Sequence, residues 1–149
     1  LYSEEYRLLT SSDAPLGNRD SVTWAEVGKV PLCLLTPDMQ NRRIIDGLLR
    51  EAGAESSPTL ESDSILVLFA HVRTGRWASV MPAKLASVLG LTDTVRAIPI
   101  VKPEVTHSIG LVVPHRNPLT PLINALVNEA KKLAPILVSD SPPKPASVI

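Results

Sequence analysis

The chain has 149 residues, 44% of them hydrophobic and 20% charged, enough for one ordinary domain with its own core and too apolar for a disordered segment. Fifteen basic and fifteen acidic side chains cancel, which excludes a global basic field for nucleic acid. One cysteine, Cys33, excludes an internal disulfide framework and is compatible with a reducing compartment, and no apolar run is long enough to span a bilayer. The chain opens Leu1-Tyr2-Ser3 with no methionine and no signal peptide before strand-like sequence starts, which reads as a cut inside a larger protein.

Tyr6–Thr10 reads as a strand, ended by the turn-rich stretch Ser11–Gly17. Ser21–Val27 offers a short helix, with Thr23 as its cap and Glu26 three residues on. Pro31–Leu35 is a short apolar run of the kind shown by strands covered on both faces. Thr36 then suits a helix cap, Pro37 the first helical position, and Asp38 the positive end of the dipole. Ile44, Ile45, Leu48, Leu49 and Ala52 recur at helical spacing, and Gly53 offers the stop.

Ser57–Glu61 reads as the next strand, and Ser62 and Asp63 cap a helix carrying Ile65, Leu66, Leu68, Phe69 and Val72, stopped at Gly75. Trp77–Met81 is a further strand, and Pro82 starts a short helix through Leu89, closed by Gly90. Strand and helix thus alternate from Leu32 to Leu89, which predicts crossover units on a mainly parallel sheet. Val95–Val101 and His107–Val113 then read as strands, and Pro118–Leu133 as a helix with Leu122, Ile123, Leu126, Val127 and Ala130 on one face. From Pro135 onward the prolines and serines indicate a tail without a core.

The chemistry-bearing patterns are few. The turn Thr36-Pro-Asp-Met-Gln-Asn41 puts hydroxyl and amide groups at a helix N-terminus, which suits a small anion or carboxylate. Ser62-Asp-Ser64 is a second polar strand-to-helix turn that should open on the same sheet edge. Plain capping is the simpler account of both turns, since every helix start needs polar groups. Cys33 sits in an apolar run where a free cysteine serves as a small hydrophobe, and His71, His107 and His115 show no metal-ligand spacing. Arg42, Asp46 and Arg50 stand at helical neighbour spacing, which reads as a solvated, paired face rather than a nucleic-acid surface. Trp24 and Trp77 read as packing residues, and neither a Gly-rich phosphate loop nor a convergent acid, base and nucleophile set is present.

Taken in order, these elements resemble the effector-binding domain of LysR-type transcriptional regulators. The segment Leu1–Thr10 is similar to the family's strand crossing from the large lobe to the small one. Pro15-Leu16, the Trp24-Ala25-Glu26 helix and Pro31–Gly53 follow as the family has them. Ser62 to Pro82 resembles its helix, glycine turn, apolar strand and proline, although Trp77 stands where the family commonly has a second glycine. His107–Val113 is similar to the returning strand, and Pro118–Leu133 to the last helix of the large lobe.

The resemblance implies an α/β, periplasmic-binding-protein-like (type 2) lobe over residues 11–105, with a crossing strand at 1–10, an incomplete large lobe at 106–134 and a Pro-rich tail at 135–149. It also implies a cytoplasmic transcription factor, not an enzyme and without a cofactor. Its homodimers or homotetramers would reach DNA only through a winged helix-turn-helix outside this chain. By position, Thr36, Met39, Gln40, Asn41, Ser62 and Asp63 would face a small-molecule effector, expected to be a small organic acid or anion. Three other readings compete: a transporter's solute-binding protein of the same two-lobed fold, an enzyme on this fold, and an oligomerisation module whose polar turns are only caps.

Overall fold

The computed structural model describes residues 1–139 except 56, 90, 92, 93, 116, 117 and 119. In chain order the elements are β1 (Tyr2–Ser11), β2 (Val22–Thr23), α1 (Trp24–Val27), β3 (Cys33–Leu35), α2 (Gln40–Glu51), β4 (Leu60–Ser62), α3 (Ile65–Val72), β5 (Ser79–Pro82), α4 (Ala83–Val88), β6 (Val95–Val101), β7 (Thr106–Ile109) and α5 (Pro121–Ser139). They form two compact units, Glu5–Val105 and Leu1–Glu4 with the described part of Thr106–Ile149.

In the larger unit the strands run in the order β2-β6-β1-β5, and β3 pairs with β4. A parallel bridge between Leu32 and Ala78 links the two sets, closed by Cys33 N–H to Ala78 O and Ala78 N–H to Pro31 O, both at 2.9 Å. β1 runs antiparallel to both neighbours, with Leu8 opposite Val80 and Ile98. β2 runs parallel to β6, and β3 to β4. Among the described residues of the larger unit, five strands therefore share one direction and β1 alone opposes them.

Alternation along the strands sends neighbouring residues into separate cores. Leu8, Leu34 and Val80 pack with Trp24, Ile45 and Leu49 from α1 and α2. Leu9, Cys33 and Met81 pack with Leu68, Val72 and Ala86 from α3 and α4 on the other face. This covering of both faces is why the short strands read as unbroken apolar runs.

Helix ends show which sequence signals act. At α1, Thr23 Oγ1 accepts from the Glu26 amide at 3.2 Å while Glu26 Oε2 accepts from the Thr23 amide at 2.8 Å, the expected capping box. At the end of α2, Gly53 takes φ +73° while Ala54 N–H donates to Leu49 O at 2.9 Å and Gly53 N–H to Arg50 O at 3.0 Å. That is a Schellman stop, and glycine adopts its left-handed step without a Cβ clash.

Other boundaries move. β4 starts at Leu60 rather than Ser57, and β5 at Ser79 rather than Trp77. Trp77 instead packs edge-on to His71, with centroids 5.4 Å apart, and donates its indole N–H to Thr59 Oγ1 at 2.8 Å. Pro82 closes β5 and caps α4, whose expected glycine stop at position 90 lies outside the described residues.

In the smaller unit β7 pairs with β1, and the Leu1 amino group donates to Ile109 O at 2.6 Å. β7 ends at Ile109, short of the expected Val113, where Gly110 brings no side chain to pack. α5 begins at Pro121 and continues through Pro135 to Ser139, so the expected end at Leu133 is corrected. One proline removes a single backbone donor, and the good helix formers Lys131 to Ala134 carry the helix up to it. Its half-buried face is Ile123, Val127, Ala130, Ala134 and Leu137, whereas Leu122 and Leu126 are exposed. The part of the expected tail at 140–149 lies outside the described residues.

Candidate functional site

The register decides where the two polar turns lie. Leu35 pairs with Ser62 across β3 and β4, so the turn after Leu35 and the turn at Ser62 open side by side on the carboxyl edge of the parallel strands. Free backbone N–H groups of helix starts collect at such an edge. The antiparallel β1 brings Tyr6 to the same edge, opposite Pro82.

Neither turn caps its helix in the expected way. α2 begins at Gln40, three residues beyond the start that Thr36 and Pro37 suggest, with Met39 as its N-cap and no side chain bonded to its first amides. Thr36 to Met39 forms a separate turn, closed by Met39 N–H to Thr36 O at 3.0 Å, with Pro37 at the position that turns favour for proline. The Thr36 hydroxyl hydrogen-bonds the Asp38 carboxyl and holds it below its ordinary value. The reason is local: a proline-fixed turn closes before the helix can, and it sets the Thr36 hydroxyl beside the Asp38 carboxyl rather than on the helix amides.

α3 likewise starts at Ile65, with Ser64 as its N-cap and no side-chain bond. Ser62 Oγ accepts from the Ser64 amide at 3.1 Å, one residue short of the helix, and Asp63 is exposed. The expected capping by Thr36, Asp38, Ser62 and Asp63 is therefore corrected on both turns.

Of the six candidates, Thr36, Met39, Asn41 and Ser62 are half-buried, whereas Gln40 and Asp63 are exposed. Asn41 is held: Tyr6 donates its hydroxyl to Asn41 Oδ1 at 3.3 Å. Tyr6 packs edge-on to Trp24 with centroids 6.3 Å apart, so the bond anchors the helix start to the larger core.

Sequence reasoning missed two contributors here. Tyr6 carries no local signal for the role, since its partner is 35 residues away. Arg42 is 5% exposed, which corrects the reading of its pair with Asp46 as a solvated face. Its Nε donates to Asp46 Oδ1 at 2.7 Å, and its Nη1 to Leu35 O at 2.7 Å and Glu61 Oε1 at 2.6 Å. Burial alone would lower its pKa, but the Glu61 and Asp46 carboxylates raise it. The i,i+4 spacing to Asp46 was visible, but the approach of Glu61 from β4 was not. The neighbouring Arg43 is exposed and donates to Pro37 O at 3.3 Å and Asp38 O at 3.2 Å, bracing the turn from outside.

Cys33 is fully buried, and burial pushes its thiol up to about 11. It is a core residue, as its apolar run suggested. Among the described residues no group of three metal-ligating side chains converges, and no helix is long and apolar enough to cross a membrane.

The family model for the LysR substrate binding domain matches residues 1–135. The chain belongs to that family. Among curated proteins it is 28% identical over 116 residues to the "Probable nitrogen assimilation transcriptional activator" of Synechococcus elongatus, covering 76% of this chain and 37% of that protein. It is 29% identical over 119 residues to the hydrogen peroxide-inducible genes activator of Escherichia coli O6:H1, covering 80% of this chain and 39% of that one. The effector binding domain of QuiR in complex with shikimate superposes with a TM-score of 0.69 at 16% identity, covering 93% of this chain and 65% of that domain. The chain thus spans under two fifths of the length of these curated relatives. The α/β, periplasmic-binding-protein-like class stands, and the relatives are transcriptional regulators rather than transporters or enzymes.

Proposed function

We propose that this LysR-family domain senses a small-molecule effector for a transcription factor, and that Thr36, Met39, Gln40, Asn41, Ser62 and Asp63 form one wall of the effector site. One observation carries the reading. The two turns lie side by side on the carboxyl edge, and the helices that follow them, α2 and α3, both start without a side-chain cap. Amides left open in this way favour a negatively charged group, so the effector is a small organic acid or anion. QuiR, of the same fold, was solved with shikimate, a carboxylate, which supports that class. The ligand shifts the regulator by binding one of its conformations more tightly than another.

In the whole protein, DNA is bound outside this chain, in keeping with its balanced charge, and the regulator acts in the cytoplasm. It works as a homodimer or homotetramer. In support, α3 exposes Leu66 at 70% and Val67 at 40%, apolar surface that a second copy would cover. Division into a crossing strand, a small lobe at 11–105 and part of a large lobe is proposed on the same footing. Calorimetry of the full-length regulator against a panel of carboxylates and inorganic anions tests the effector class. Micromolar binding of one member supports it, whereas binding of a neutral ligand alone sinks it.

A second reading is suggested by the relative named for hydrogen peroxide-inducible genes: redox sensing by Cys33, which would need a reactive thiol. Such a thiol must ionise near neutral pH, and Cys33 does not. Native Cys33 is expected to resist iodoacetamide at about pH 8 and to react once the chain is unfolded. Rapid alkylation of the native protein would reopen the redox reading.

A further inference from the structure

We propose that Arg42 is the positioning residue of the effector wall, one buried guanidinium that sets the spacing of its two turns. The proposal rests on the effector-site reading above and adds a residue that need not touch the ligand. Its basis is where the Arg42 bonds end. Nη1 reaches Leu35 O at 2.7 Å and Glu61 Oε1 at 2.6 Å. Leu35 immediately precedes Thr36, and Glu61 immediately precedes Ser62. A single nitrogen therefore ties the last residue before each turn, while Nε is fixed by Asp46 one helical turn on.

The strands alone give this edge little rigidity. β3 and β4 pair over three residues each, and among the described residues β4 has β3 as its sole strand neighbour. Arg42 sits directly after Asn41, a candidate effector residue whose side chain is bonded to Tyr6. A buried ion pair adds little net stability over an apolar replacement, and its best-attested use is to specify an arrangement. Arginine suits the task because its planar fork meets several acceptors in fixed directions. A lysine has one nitrogen on a flexible stem in place of the two, Nε and Nη1, that Arg42 uses here.

Hydrogen exchange on the full-length protein, without ligand, tests the role. The reporters are the amides of Met39, bonded to Thr36 O, and Ser64, bonded to Ser62 Oγ. In Arg42→Lys both should exchange about tenfold faster, while the Glu26 amide inside the α1 capping box keeps its rate. The core variant Val80→Ala, measured equally far below its own Tm, serves as the control for general loosening. Glu61→Gln, which removes one charge from a half-exposed side chain, should loosen the Ser64 amide and, more weakly, that of Met39. If Arg42→Lys gives the same pattern as Val80→Ala, or if only one turn loosens, the positioning role is overturned. Either result stands whether or not the turns bind an anion, so the two readings fail separately.

Discussion

The starts of α1 and α2 answer the same requirement in opposite ways. Both follow a strand, and both carry a threonine, an acidic residue and amides that need partners. At α1 the Thr23 and Glu26 side chains satisfy each other's amides, and the helix start is closed. At α2 the same residue types serve a proline turn instead: the Thr36 hydroxyl lowers the Asp38 pKa, and neither side chain caps the first helical amides. The difference teaches that polar residues near a helix start do not reveal whether the start is capped. Spacing decides. Three residues from threonine to glutamate close a capping box, whereas Thr36-Pro37-Asp38 brings the carboxyl back onto the hydroxyl.

The contrast can be broken most directly by removing the polar side chains of α2. Thr36→Ala with Gln40→Ala should abolish effector response, a loss of at least about tenfold in affinity, with stability changed by under about 0.5 kcal/mol. Ligand titration and urea unfolding of the same variant check both halves. A stability loss of about 1 kcal/mol with normal response would mean that these residues are caps after all. At α1 the opposite holds: Thr23→Ala should cost about 1 kcal/mol and leave the response intact, read by the same two measurements.

A smaller change turns one start into the other. Met39→Asp supplies the missing cap, and should raise stability by about 0.5 kcal/mol while weakening an anionic effector through like charge. A stabilised variant that binds its anion more tightly would contradict the open-amide account.

The subtlest difference is in acid. The Thr23 amide and hydroxyl hold the Glu26 carboxyl below its ordinary 4.5. A lowered folded value means that the stability it supplies is fully present above pH 4.5 and is lost as pH falls through the folded value. Glu26→Gln should therefore unfold with a flatter pH dependence below that point, seen in urea midpoints measured down the acid limb.

Much of the fold was legible because its signals are local. The apolar run around Cys33, the helical spacing from Ile44 to Ala52 and the Gly53 stop each need only a few neighbours to act. The crossover order followed from their alternation, and the family resemblance from their sequence. The proline turn at Thr36 was also local, yet it was misread, because two local uses of the same residues compete and only backbone geometry selects one.

By itself, the sequence determined the class of the chain, the membership of its core and the neighbourhood of its candidate site. Those follow from hydrophobic period and turn chemistry, which act over a few residues. Tertiary structure alone decided that Leu35 and Ser62 stand in register, that Tyr6 reaches Asn41, and that Arg42 is buried between Asp46 and Glu61. These contacts join residues up to 35 positions apart. Their partners are chosen by how strands pair and helices pack, and no short stretch of sequence carries that choice.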